Sequence, residues 1–204
     1  VTRHYIGYHG ARPDINGQNF NASRRSLANS YLPTYAAFQR PESGAADGIM
    51  CAMSQLHIDD TDITEASCAS QFLLHENLRQ NWSSDALIQS DCCDSVRTMN
   101  NPFHYKNITT DQEALALAIN EGGMGVYFGF AVNELRTDLG YLIGNGTVTN
   151  ATMQTIGERV LLSFFRLGFF DAWRPEYPFR NDTLDWSLLG GAKHRALARE
   201  AAAK

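Results

Sequence analysis

Hydrophobic positions in this chain change period repeatedly, and that alternation is its main structural signal. Short apolar runs at residues 3–8, 48–53, 86–90 and 124–128 have the length and composition of buried strands. The first of them closes on Gly10. Between these runs, apolar residues recur every three or four positions. Leu27, Tyr31, Leu32, Tyr35 and Phe38 follow helical spacing, with an interruption predicted at Pro33 because a proline ring clashes with the preceding turn. A second helix is expected from about residue 65 to 80, burying Phe72, Leu74 and Leu78. A third starts at a capping box, with Thr110 as N-cap and Glu113 three residues on. It carries Leu115, Leu117 and Ile119 and stops at Gly122-Gly123. The longest helix spans about 150–167, with Met153, Ile156, Val160, Phe164 and Leu167 on one side and Gly168 at its end.

Repeated strand–helix units with apolar strands predict an α/β fold, a parallel sheet covered by helices. Four such units make half of an eight-stranded barrel or a small open sheet, and periodicity alone does not separate the two. Residues 172–189 are rich in Pro, Trp and polar residues and read as a linker, followed by a helical tail at 193–199. Asp91 stands at the exit of the third strand, where a carboxylate is held rigidly yet faces the loops that bind substrates. A helix N-cap or a loop acid fits the same position. The glycines of Gly122-Gly123-Met124-Gly125 precede a strand instead of following one, which excludes a nucleotide-binding turn.

Composition narrows the setting. The 204 residues, 44% of them hydrophobic, suffice for one domain with a sizeable core. A net charge of −5 without a Lys/Arg block argues against nucleic acid or an anionic membrane as the main partner. No apolar run approaches the roughly 18 residues needed to span a bilayer. The opening Val1-Thr2-Arg3-His4-Tyr5 reads as the inside of a folded domain, not a secretory leader, so the chain is expected to be a segment of a longer protein.

Asn-X-Ser/Thr occurs at Asn21, Asn81, Asn107, Asn145, Asn150 and Asn181, six of the fourteen asparagines. Chance would supply about two, so these N-glycosylation candidates favour a eukaryotic secretory, extracellular protein, although Asn150 equally suits a helix N-cap. Four cysteines fit an oxidising compartment. Cys51 and Cys68 are a disulfide candidate closing a loop of moderate length, whereas a bond between the adjacent Cys92 and Cys93 would be strained. No Cys or His spacing matches a zinc site, and no metal is expected.

Seven motifs, in order along essentially the whole chain, resemble glycoside hydrolase family 3, above all its β-xylosidase-like members. Thr2-Arg3-His4-Tyr5 is similar to the family's Lys-His-Phe/Tyr, and Tyr31-Leu32-Pro33 to its Tyr-Leu-Pro-Pro-Phe. Ile49-Met50-Cys51 through Cys68 resembles Val-Met-Cys-Ser-Tyr-Asn … Pro-Thr-Cys, and residues 78–82 resemble Leu-Arg-Gly-Glu-Trp. Ser90-Asp91-Cys92 matches Ser-Asp-Cys, residues 166–171 match Arg-Leu-Gly-Met-Phe-Asp, and the tail matches His-Arg-Ala-Leu-Ala-Arg.

The resemblance implies the C-terminal half of a (β/α)8 barrel over residues 1–171, a linker at 172–190 and the start of a second α/β domain at 191–204. It implies retaining hydrolysis of terminal β-linked sugars on an oligosaccharide or polysaccharide, with no cofactor, since two carboxyl groups suffice. Asp91 takes the nucleophile's place. Arg3 and His4 take sugar-hydroxyl-binding places, and Met50 lines the same subsite or serves as an ordinary core methionine. The acid/base glutamate belongs to the second domain and has no counterpart here, and half a barrel would expose strand edges, so the isolated segment is expected to be poorly stable and inactive.

Departures qualify this. Arg3 replaces a lysine, a non-conservative exchange. Met53 and Ser54 replace Tyr and Asn, and Gly123-Met124-Gly125-Val126-Tyr127 has lost both acids of Gly-Leu-Asp-Leu-Asp. One extra residue in Ser90-Asp91-Cys92-Cys93-Asp94 makes Asp94 a rival in register. These losses motivate an alternative, a degenerate member that binds glycans without cleaving them; a structural module with no sugar site is the remaining alternative.

Overall fold

The computed structural model describes residues 1–8, 19–44, 46–61, 63–91, 95–100, 105–128, 132–171 and 189–204. They fall into two compact units, Val1–Phe164 and Phe165–Lys204. Among the described residues the first unit contains seven strands: β1 (Thr2–Tyr5), β2 (Asn19–Ala22), β3 (Gly48–Cys51), β4 (Gln55–Ile58), β5 (Thr64–Ala66), β6 (Leu87–Gln89) and β7 (Met124–Val126).

The main sheet is wholly parallel, in the order β1-β3-β6-β7. Thr2 lies opposite Ile49, Ile49 opposite Ile88, and Ile88 opposite Met124. Every new strand is added on the same side of its predecessor. A doubly wound open sheet reverses direction at a switch point, whereas a barrel does not. The order therefore settles what periodicity left open: this is an arc of barrel-type sheet. Ile49, Cys51 and Ile88 are essentially fully buried, as parallel strands covered on both faces require.

A small second sheet, β2-β4-β5, was not anticipated. β2 and β4 pair in parallel, and β4 and β5 form a hairpin whose turn closes with the Ile58 N–H on the Ile63 carbonyl at 2.9 Å. The signal was present but short: in Gln55-Leu56-His57-Ile58, Leu56 and Ile58 are fully buried and alternate with half-buried neighbours. β1 is shorter than expected and ends at Tyr5. Gly7 then turns the chain at φ +88°, so close to Phe20 that an added Cβ would sit 2.4 Å from its ring. The expected stop at Gly10 lies outside the described residues.

The first helical stretch is continuous through Pro33, contrary to the predicted break. It comprises α1 (Arg24–Ser26), a π turn (Leu27–Tyr31) and α2 (Leu32–Gln39). The Leu32 N–H reaches back five residues to the Leu27 carbonyl. Widening the turn just before a proline relieves the ring's clash, and Pro33 has no N–H to lose. The second expected helix starts later than predicted, as a π-type helix at Gln71–Asn81. The Ser70 hydroxyl caps it by accepting the Leu73 N–H at 2.9 Å, and the Glu65 carboxylate accepts both the Ser70 hydroxyl and the Phe72 N–H. Leu73, Leu74 and Leu78 are fully buried, while Phe72 is only half-buried.

α3 (Asp111–Asn120) carries the predicted capping box: the Thr110 hydroxyl accepts the Glu113 N–H at 3.2 Å, and the Glu113 carboxylate accepts the Thr110 N–H at 3.1 Å. Hydrogen bonds from the Thr109 backbone and then from Thr110 hold the Glu113 carboxyl below its usual range. α4 (Val132–Gly144) was missed, although Leu135, Leu139 and Leu142 recur at helical spacing and pack on the core. α5 (Asn150–Arg166) presses its first half on the sheet, burying Ile156. Phe164 and Leu167, expected on its buried side, are 40% and 61% exposed. In the second unit Gly168, at φ +72°, closes a turn with its N–H on the Phe165 carbonyl, and α6 (Ala192–Ala203) forms the tail. Of the linker expected at 172–190, only 189–190 are among the described residues.

One buried polar group ties the lower ends of the strands together. Gln39, fully buried at the end of α2, donates to the Thr2 hydroxyl at 2.9 Å and the Gly48 carbonyl at 3.3 Å, and accepts the Ser84 hydroxyl at 3.1 Å. It thus joins the starts of β1 and β3 to the approach to β6. Replacing Gln39 by Leu strands the buried Gly48 carbonyl and Ser84 hydroxyl and the half-buried Thr2 hydroxyl, and a loss of about 2–3 kcal/mol is expected in urea unfolding. A variant as stable as the parent would show that those partners find substitutes.

Candidate active site

The C-terminal ends of β1, β3 and β6 share one edge of the main sheet, and His4, Met50 and Asp91 lie there. Ser90 leaves β6 doubly anchored: its N–H donates to the Val126 carbonyl at 2.9 Å, and its hydroxyl accepts the Phe128 N–H at 2.7 Å. Asp91 follows, only 6% exposed, with its carbonyl accepting the Ser95 hydroxyl at 3.2 Å. The Ser95 carbonyl in turn accepts the Thr98 hydroxyl at 2.9 Å. These bonds anchor the chain on both sides of the carboxylate.

His4, at the end of β1, brings its Nε2 to 3.5 Å from Asp91 Oδ2, across the intervening strand β3. The His4 ring lies 4.7 Å from that of Tyr8, and its carbonyl accepts the Tyr35 hydroxyl at 2.6 Å. The Arg3–His4 and Tyr5–Ile6 peptide bonds are cis. Met50, on β3 between them, is buried. Arg3 is exposed and lines an open cavity of about 530 Å³ with Thr2, Tyr31, Tyr35 and Phe38. The structure therefore brings His4 to Asp91 and sets Arg3 beside the adjacent groove. Asp94, the rival in register, lies outside the described residues, as do Cys92 and Cys93.

Cys51 and Cys68 are joined by a disulfide, with Cα atoms 5.1 Å apart. It ties the end of β3 to the turn Ser67–Ala69. The Ser67 N–H and hydroxyl both donate to the Ser54 carbonyl, at 3.0 and 2.8 Å. The Ser54 hydroxyl donates to the Ile6 carbonyl at 2.9 Å. Ser54, which stands where the motif has Asn, therefore serves the backbone. Met53, in place of the motif's Tyr, is buried and takes a long contact from the Tyr8 hydroxyl at 3.9 Å. Gly122 packs so tightly here that an added Cβ would lie 2.0 Å from the Cys68 carbonyl.

Tyr8, Tyr35 and Ser90 are the residues that sequence reasoning did not single out. Ser90 carried a signal, its place in Ser-Asp-Cys, whereas the two tyrosines read as ordinary aromatic positions. Of the six sequon asparagines, Asn21, Asn81, Asn107, Asn145 and Asn150 are exposed, and Asn181 lies outside the described residues. Among the described residues no cluster of His, Cys, Asp or Glu could hold a metal ion, and no helix is long and apolar enough to cross a membrane.

The chain is 28% identical to a probable exo-1,4-β-xylosidase of Neosartorya fischeri over 99% of its own length and 25% of that protein's. It is 30% identical to a β-xylosidase of Formosa agariphila over 100% of this chain and 27% of the relative. Among solved structures, a β-glucosidase from Erythrobacter marinus superposes with a TM-score of 0.75 at 24% identity, covering 97% of this chain and 24% of that one. By sequence and fold, the chain resembles glycoside hydrolase family 3 of the β-xylosidase and β-glucosidase type. A β-glucosidase from Listeria innocua gives a TM-score of 0.71 at 22% identity, over 98% of this chain and 25% of that one, which supports the barrel-type fold. No protein-family model matches the chain. The chain spans 25% of the length of the curated relatives first matched.

The disulfide closes a loop with a sequence separation of 17. Replacing both Cys51 and Cys68 by Ser is expected to cost about 3 kcal/mol, read as a lowered thermal midpoint. Dithiothreitol should reproduce the loss in the parent protein and leave the double variant unmoved; equal sensitivity of both would sink the assignment.

Proposed function

We propose that the whole protein carrying this chain hydrolyses terminal β-linked sugars with retention, using Asp91 as its nucleophile. The observation that carries this reading is a buried, backbone-anchored carboxylate at a barrel-strand exit, 3.5 Å from a histidine on another strand. Relatives named as β-xylosidases match the chain across that region.

In the reaction, an Asp91 carboxylate oxygen attacks the anomeric carbon and forms a glycosyl-enzyme ester as the bond to the leaving oxygen breaks. A second carboxyl group, about 5–5.5 Å away in such enzymes, delivers the proton to that oxygen and then deprotonates the water that hydrolyses the ester. That group is assigned to the second domain implied by the family resemblance. His4 offers a ring N–H to a sugar hydroxyl beside the nucleophile, a contact that would orient the sugar for attack. Met50 would pack on the sugar face, and Arg3 would reach the same sugar from the neighbouring groove. No cofactor has a role in this chemistry. The substrate is placed among terminal xylose, glucose or arabinose units of plant-type oligosaccharides or polysaccharides. Five exposed sequons and the disulfide support a secreted glycoprotein.

A second reading, glycan binding without cleavage, has its own support. Ser54 is committed to backbone bonds and Met53 is buried, so neither replaces the polar groups of the motif. The full-length protein, assayed with aryl β-xyloside and aryl β-glucoside, separates the two. Asp91→Asn is expected to lower turnover by about 10⁴-fold or more, with Asp94→Asn near the parent value. Intact activity in Asp91→Asn would refute the nucleophile assignment. A silent parent that still binds xylo-oligosaccharides would favour the binding reading.

A further inference from the structure

Tyr35 connects the helix α2 to the catalytic edge by a bond that no motif required. In the Tyr-Leu-Pro-Pro-Phe pattern the last position is Phe, and here Tyr35 occupies it. The added hydroxyl donates to the His4 carbonyl at 2.6 Å, a short bond for a neutral pair. The ring is wedged in place, its centroid 4.8 Å from that of fully buried Tyr5, which itself packs 5.9 Å from Trp82 and donates to the Leu73 carbonyl at 3.0 Å. Tyr35 also walls the groove that Arg3 lines. One phenol therefore touches the backbone of His4 and lines the same groove as Arg3.

We infer that Tyr35 is a positioning residue: by fixing the His4 carbonyl it holds the imidazole against Asp91 and so sets the geometry of the sugar subsite. His4 lies between Thr2 and Tyr5, where the register of β1 on β3 shifts, so regular ladder pairing does not by itself fix its peptide plane, and a rotation there swings the imidazole away from the carboxylate. A hydrogen bond to the carbonyl opposes that rotation. Burial raises the Tyr35 hydroxyl above its ordinary range, so it remains a donor throughout neutral and mildly alkaline conditions. The phenol needs no contact with substrate to act in this way.

The inference rests on reading His4 and Asp91 as a sugar site, and the test separates the two claims. Tyr35→Phe keeps the ring and removes the bond, so packing is retained. In the full-length protein, kcat/KM on the better aryl glycoside is expected to fall about five- to tenfold, the net worth of one such hydrogen bond, with the thermal midpoint unmoved within about 2 °C. In a His4→Ala background the same change should cost less than about twofold, because the phenol acts through His4. The histidine Cε1–H resonance of His4, followed by NMR in the labelled full-length protein, should shift in Tyr35→Phe whether or not the parent turns over.

A catalytically silent parent would defeat the hydrolase reading while leaving the resonance to decide the positioning role. An unmoved resonance overturns the inference, as does an equal loss of activity with and without His4.

Discussion

Because β1, β3, β6 and β7 run parallel in chain order, their C-terminal ends share one edge, and each crossover must carry the chain back beneath the sheet. The hydrogen-bonded register between them is the constraint on which the site depends. It sets His4 and Asp91 near corresponding ends of strands separated by β3, and the bonds of Ser90 and Tyr35 just beyond or beside those strands accompany the 3.5 Å approach of their side chains. The buried face of β3, with Ile49 and Cys51 inaccessible to water, keeps the spacing rigid. Gln39 closes the opposite end, where the strands begin.

The long periodic segments were legible in the sequence. Thr110 with Glu113 announced α3, and four apolar runs announced the main sheet, because those signals are local and repeat several times. What escaped was short or context-dependent. β2, β4 and β5 are three or four residues each, too brief for alternation to stand out, and α4 was hidden by the apolar run before it. The break expected at Pro33 did not occur because a widened turn removed the clash, a solution that propensity alone does not foresee. Asp91 was legible through its flanking motif. Tyr8 and Tyr35 were not, since nothing local distinguishes a tyrosine that reaches a distant carbonyl from one that fills a core.

The altered motif positions have physical counterparts. Gly125 takes the place of an acid beside α5, and an added Cβ would press on Leu87 at 2.7 Å, Ile156 at 3.1 Å and Val160 at 3.2 Å. Lost polarity there goes with a position too tight for a side chain. Ser54 shows the opposite trade: a polar side chain is retained, but it is turned towards the Ile6 backbone and Ser67, away from any ligand role. The wall near β3 and β4 is thus stiffened by a disulfide and serine bonds, while its chemistry is reduced.

The π turn at Leu27–Tyr31 has a geometric effect beyond accommodating proline. An extra residue in a helix advances the phase of everything after it by about 100° around the axis. Tyr35, Ala36 and Gln39 lie downstream of that shift, and all three are turned inward, Tyr35 towards His4 and Gln39 towards Thr2 and Gly48. The widened turn works as an angular offset set into the helix. Restoring regular α-helical winding at that point would rotate the same side chains out of reach of β1, even with every residue identity unchanged.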